Sequence, residues 1–217
     1  MTLASCDSRK TAGENPFFTE WDTPHGVPPF DKILPEHFMP AFERGMSLHE
    51  AEIDAITSNK DEATFENTIL AYDDAGQMLA QTELVFGMLC AAETNDRMQA
   101  LQEQAMPLLA AHRDKIRLDD KLFVRVKEVY DRRAALGLDA EQMRLLQKTY
   151  DSFVRAGALL DAEQKARLKE INGQLSLTAV KFGNNILAEN NNFVLELKSD
   201  ELDGLPAGIR DAAREKA

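Results

Sequence analysis

Residues 35–56 read Pro35-Glu36-His37-Phe38-Met39-Pro40-Ala41-Phe42-Glu43-Arg44-Gly45-Met46-Ser47-Leu48-His49-Glu50-Ala51-Glu52-Ile53-Asp54-Ala55-Ile56. Phe38, Phe42, Gly45, His49, Ile53 and Ile56 recur at steps of three or four, which sets them on one side of an α-helix. Pro35 suits its first turn, where a missing N–H costs nothing. The same period continues down the chain, so the fold is helical. Before this helix, Pro16 to Pro35 holds Pro24, Pro28 and Pro29 and the only tryptophan, Trp21. Proline at that density excludes regular helix. Phe17, Phe18, Trp21 and Phe30 would be left wet unless the segment lies over the helices as an extended strap.

Thr64 caps a second predicted helix with the stripe Phe65, Ile69, Tyr72, Gly76, Leu79, Phe86, Cys90. A third follows a Thr94 cap, with Met98, Leu101, Ala105, Leu108, His112 and Ile116 inward and a kink at Pro107. A short helix after Asp119 carries Leu122, Val126 and Val129. Asp139 with Gln142, and Asp161 with Gln164, have capping-box spacing. They open helices with the stripes Met143, Leu146, Tyr150, Phe153, Gly157 and Leu168, Ile171, Leu175, Thr178, Phe182, Ile186. Past Asn190-Asn191-Asn192, the alternation Phe193, Leu195, Leu197 predicts one strand. It needs a partner, and no segment of comparable quality offers one. A last helix begins near Ala207 and runs toward Ala217 without a cap, as inside a longer polypeptide.

The expected fold class is therefore all-α: an antiparallel helical bundle with a Pro/aromatic N-terminal strap and one short strand near the C-terminus. The expected divisions are a disordered tether over 1–15, a helical lobe over 16–190, and a strand with the start of a helix over 191–217.

A net charge of -12, from 37 acidic and 25 basic side chains, argues against a nucleic-acid partner, which needs a concentrated positive field. The longest apolar run, Leu84 to Ala92, is about half of a membrane span, so no transmembrane segment is expected.

Candidate chemistry is sparse. A helical zinc protease needs two histidines at i and i+4 with a general-base Glu between them. His49-Glu50 begins that pattern, but Ile53 stands where the second histidine belongs. His49 lies on the apolar stripe and reads as a hydrogen-bonded core or boundary histidine. His25, His37 and His112 show no ligand spacing. Asp73-Asp74 and Asp119-Asp120 are neighbours, which on a helix diverge by about 100° and cannot face one another. Cys90 has no cationic neighbour to activate it. No catalytic residue and no metal ligand is assigned.

Cys6 is a candidate lipid anchor. Leu3-Ala4-Ser5-Cys6 resembles a bacterial lipobox, and polar residues Asp7 to Asn15 suit a flexible tether. A native start upstream would then encode the missing basic and apolar segment, placing the protein in the cell envelope or periplasm. A gene that begins at Met1 implies the cytoplasm instead.

Leu34-Pro35-Glu36-His37-Phe38-Met39-Pro40-Ala41-Phe42 and Thr64-Phe65-Glu66-Asn67-Thr68-Ile69 resemble the amino-terminal region of the thimet-oligopeptidase-like metallopeptidases, most closely the bacterial peptidyl-dipeptidase (dipeptidyl carboxypeptidase) branch. Further blocks keep that family's order: Ala92-Glu93-Thr94-Asn95-Asp96, His112-Arg113-Asp114-Lys115-Ile116, Leu122-Phe123-Val124-Arg125-Val126, Phe153-Val154-Arg155-Ala156-Gly157-Ala158 and Leu202-Asp203-Gly204-Leu205-Pro206. The resemblance implies a two-lobed helical enzyme with a deep channel, whose zinc motif follows the part seen here. This chain would then be a non-catalytic lobe, one wall of a channel restricting substrates to short peptides. It would need no cofactor of its own, zinc being expected in the parent enzyme. Its partners would be the C-terminal catalytic region of the same polypeptide and short peptides. The alternative expectation is a stand-alone helical module that binds a peptide or protein without turnover.

Overall fold

A computed structural model describes residues 15–215 of the chain. Cys6 and residues 1–14 of the expected tether lie outside the described residues. Every regular element described is helical.

The strap is held by named contacts. The Asn15 side chain accepts from Phe17 N–H at 3.1 Å and donates to the His37 carbonyl at 2.8 Å. Trp21 Nε1 donates to the Pro16 carbonyl at 2.8 Å. Phe17 is buried, with its ring 5.3 Å from that of Phe38, and the Arg44 guanidinium lies 4.6 Å above the Phe18 ring. Phe30 departs from expectation and is exposed, on a turn closed by Phe30 N–H to the Pro28 carbonyl.

Helix α1 (Phe38–Ser58) buries Phe38, Phe42, Gly45, Ile53 and Ile56, five of the six stripe positions, with His49 partly buried. The second predicted helix is divided. Phe65–Leu70 is a π-helical turn, α2 (Ala71–Asp74) follows, and the chain breaks at Ala75 and Gly76 before α3 (Gln77–Ala92). The break is conformational: Gly76 has φ +78°, a left-handed value that cannot propagate a right-handed helix. Helix α4 (Asp96–Arg117) is capped by Asn95, whose side chain accepts from Met98 N–H at 3.1 Å, rather than by Thr94. The helix continues through Pro107. Its core face is carried by Leu109, 1% exposed, whereas Leu108 is 46% exposed.

Helix α5 (Asp120–Asp131) buries Leu122, Val126 and Val129 beneath an Asp119 cap. Helix α6 (Ala140–Arg155) and helix α7 (Ala162–Asn192) open on the expected capping boxes, reciprocal in both cases. Lys165 of α7 is buried, pairs with Asp120 and donates to the Leu118 carbonyl, while Asn172 Nδ2 donates to Asp114 Oδ1 at 2.8 Å.

Two compact units divide at Val180 and Lys181. The first holds two apolar clusters. One gathers Phe17, Phe38, Phe42, Leu79, Val85, Phe86, Met98, Ala105 and Leu109. The other gathers Ile53, Ile56, Phe65, Ile69, Ile116, Leu122, Val126, Val129, Leu146 and Phe153. Burying that many aromatic and branched side chains is the main stabilising term. Gly45 permits the close approach of α1 to α3, since a Cβ there would meet Leu79 Cα at 3.0 Å.

Two sequence expectations fail here. The α7 stripe is not a buried face: within the first unit, Ile171 and Leu175 are exposed. In the second unit, Phe182 and Ile186 are exposed too. The predicted strand is absent among the described residues. Phe193, Val194, Leu195 and Leu197 are exposed and unpaired by any ladder. An isolated extended segment has no neighbour to satisfy its backbone groups, and alternation alone cannot supply one. The second unit ends in α8 (Ala207–Arg214), which begins at the expected position.

Candidate functional site

Three segments of the first unit pass from one apolar cluster to the other, and each changes over at a polar or glycine position. On α1 the changeover is His49, between Phe42 and Ile53. On α4 it is His112, between Leu109 and Ile116. Between α2 and α3 it is Gly76. These three residues meet. His112 Nε2 and His49 Nδ1 are 3.0 Å apart, with ring centroids 5.0 Å apart. A Cβ on Gly76 would lie 2.9 Å from His49 Nδ1. The Gly76 N–H donates to Glu52 Oε2 at 2.7 Å.

A cavity of about 200 Å³ opens beside the pair, lined in part by Tyr72, Leu79, Glu83, Arg113 and Arg117. The charges around the histidine pair are mostly committed. Glu83 pairs with Arg113 at 2.8 Å, and Glu50 pairs with Lys115 at 2.8 Å. The Lys115 hydrogen bond holds the Glu50 carboxyl below its usual range. Burial pushes the Tyr72 hydroxyl up, against the opposing pull of Arg117. Burial also lowers the pKa of His49, aided by the neighbouring His112, and lowers that of His112 despite Glu50. His112 Nδ1 is buried without a hydrogen-bond partner, its nearest carboxylate oxygen, Glu50 Oε1, standing 3.5 Å away.

The sequence treated His49 and His112 as unrelated, and 63 residues separate them. Only their shared place on the inward stripes of two helices signalled that they could meet. The pair does not fit catalytic zinc. Each facing nitrogen is committed to the other, buried Ile53 stands at the second-ligand position, and among the described residues no three His, Cys, Asp or Glu side chains converge. Cys90 is half-buried on α3, and burial raises its thiol pKa, which disfavours a nucleophile. No described helix is long and apolar enough to cross a membrane.

A second polar junction joins two of the sequence signatures. Asn67 Oδ1 accepts from Thr64 N–H at 2.8 Å and from Thr68 Oγ1 at 2.8 Å, while Thr64 Oγ1 accepts from Asn67 N–H at 3.1 Å. Arg125, 9% exposed, donates to the same Asn67 oxygen and to the carbonyls of Asn59 and Asp61. The sequence pointed to the Thr64 cap but missed Asn67 as its reciprocal partner. Thr and Asn at cap and N3 spacing are the local signal for it.

No family model matches the chain. Curated relatives do. The dipeptidyl carboxypeptidase of Escherichia coli is 39% identical over 207 residues, covering 93% of this chain and 30% of the relative. The Salmonella typhimurium dipeptidyl carboxypeptidase is 38% identical over 174 residues, covering 80% of this chain and 26% of the relative. Oligopeptidase A of Escherichia coli is 24% identical over 196 residues, covering 90% and 29%. The chain thus spans less than a third of the length of the curated relatives it matches. It belongs to the peptidase family of dipeptidyl carboxypeptidase, oligopeptidase A and thimet-like oligopeptidase, and carries that family's amino-terminal region.

Proposed function

We propose that this chain is the non-catalytic lobe of a zinc-dependent oligopeptidase of the peptidyl-dipeptidase kind. It forms one wall of the substrate channel and limits entry to short, unfolded peptides. One observation carries the reading: the match fills 93% of this chain but only 30% of the Escherichia coli dipeptidyl carboxypeptidase. Apolar side chains left exposed support it, Ile171 and Leu175 in the first unit, Phe182 and Phe193 in the second. Surface of that kind is where a catalytic region of the same polypeptide would pack, because exposed apolar groups gain most from burial. The zinc and its ligands belong to that region, and this lobe contributes shape and closure around the peptide.

The test is the nucleotide sequence after the Ala217 codon. It should encode an H-E-x-x-H helix, and a natural stop without one would overturn the reading. Purified as 217 residues, the chain should cleave no peptide. Chelator-sensitive hydrolysis by this chain alone would equally overturn it.

We also propose that the parent is held in the cell envelope by an acylated Cys6, on the strength of Leu3-Ala4-Ser5-Cys6 and the polar tether after it. Cys6→Ser should move the full-length protein from the membrane fraction to the soluble fraction. An unchanged distribution, or a gene that begins at Met1, removes the anchor and leaves the cytoplasm.

A further inference from the structure

The His49–His112 contact is sensitive to proton count for a reason that geometry alone supplies. Two imidazoles have four ring nitrogens, and here one nitrogen of each faces the other at 3.0 Å. The neutral pair carries two hydrogens, one of them shared between the facing nitrogens. A first added proton fills the remaining outward nitrogen and keeps the shared one. A second must put hydrogens on both facing nitrogens, and no acceptor is left between them. The dication therefore cannot keep this contact. In the neutral pair, the tautomer that sets lone pair against lone pair is unfavourable as well, so the rings hold together only while one proton sits between the facing nitrogens.

We propose that His49, His112 and Gly76 form an acid-released latch between the two apolar clusters of the first unit. Closed, the shared proton ties α1 to α4, and the His49 ring braces the Gly76 break from below. Released, the rings separate, the Gly76 N–H loses its fixed distance to Glu52, and the start of α3 is freed relative to α2. The surroundings make the second proton costly. Every charged group facing the pair has another partner or role: Glu50 with Lys115, Glu83 with Arg113, Glu52 with the Gly76 N–H, Arg117 beside the Tyr72 hydroxyl. Glu50 Oε1 faces His112 Nδ1 at 3.5 Å, but the other Glu50 oxygen is held by Lys115, and burial of His112 strips away most solvent screening.

The direction with pH follows from linkage. Both rings titrate below the ordinary histidine value of about 6.5 when closed and regain it when released. Released latches therefore bind more protons as pH falls below about 6.5, and closure weakens with acid. A difference of one bound proton changes the opening constant by about tenfold per pH unit across the window. Above about 6.5 closure is fully present and independent of pH.

Native-state hydrogen exchange on the whole chain tests this, read at the Gly76 amide and at Ala80, whose N–H donates to the Gly76 carbonyl. After correction for the intrinsic pH dependence of exchange, opening at these amides should rise by about tenfold or more between pH 7 and pH 5. Amides of Val126 and Leu146, in the far cluster, should not follow. In His112→Gln, which keeps a side-chain donor and acceptor but does not titrate, the acid response should shrink to what the burial of His49 alone supplies. An equal response in His112→Gln, or none in the unaltered chain, overturns the proposal. NMR titration of the histidine rings covers the case where the variant does not fold. His49 and His112 should titrate below the ordinary histidine value of about 6.5; both titrating at that value also overturns it.

Discussion

Arg125 Nη2 on α5 donates to Asn67 Oδ1 in the π-helical turn at 3.1 Å, across 58 residues of sequence. The same guanidinium donates to the carbonyls of Asn59 and Asp61, so one side chain closes the loop after α1 and fixes the turn that follows. The fork geometry is essential, since an ammonium is a point charge and cannot serve three acceptors on two segments equally well. Arg125→Ala leaves two carbonyls and an amide oxygen short of a donor. It should cost roughly 2–4 kcal/mol in urea unfolding. Arg125→Lys should recover only part of that. Asn67→Ala should be non-additive with Arg125→Ala, because both remove the same bond.

The helix caps make a more local expectation. Asp139 accepts from Gln142 N–H at 2.9 Å, and Asp161 accepts from Gln164 N–H at 2.8 Å. Replacing either aspartate with alanine should lower stability by about 1 kcal/mol. Asparagine at either position should be nearly neutral, since it keeps the acceptor. Equal losses for alanine and asparagine would point to charge rather than capping, and a salt titration would separate the two.

The caps were legible because a reciprocal box is a contact within four residues, written in the sequence itself. The same is true of the α1 stripe, whose spacing survives folding intact. What escaped the sequence depended on distance or on exceptions. Gly76 reads as one more small residue on a stripe, and only its left-handed backbone marks a break. Leu109 displaces Leu108 on α4 because adjacent leucines fit a stripe about equally well, and the neighbouring helices decide between them. The Phe193, Leu195, Leu197 alternation carried a strand signal without a strand, as pairing is a property of two segments. His49 and His112 each looked like an ordinary boundary histidine. Their joint chemistry exists only because α1 and α4 pack side by side.

Two buried aromatics anchor separate clusters and should respond alike. Phe42 lies against Phe86 with ring centroids 5.3 Å apart, and Phe153 lies 5.2 Å from the Tyr72 ring. Both are essentially without solvent exposure. Truncation to alanine removes the ring and leaves a cavity, at a cost of about 3–5 kcal/mol. A domain of this size commonly has only about 5–15 kcal/mol in total, so either change should visibly lower the melting midpoint. An unchanged midpoint would contradict the packing of the cluster concerned.

Gly76 offers the sharpest separation of two causes. Its φ of +78° is strained for any residue with a Cβ, which should make Gly76→Ala cost about 1–2 kcal/mol through handedness alone. The new methyl would also sit 2.9 Å from His49 Nδ1 and 3.0 Å from its Cγ, so a second penalty of about 1 kcal/mol or more comes from overpacking. The two penalties part company in a His49→Ala background. There the clash is gone while the backbone strain stays, and Gly76→Ala should lose roughly a third or more of its effect. Urea unfolding of the four proteins in that cycle measures the coupling. An identical cost in both backgrounds would mean that the glycine serves only the turn, and that the imidazole does not press on it.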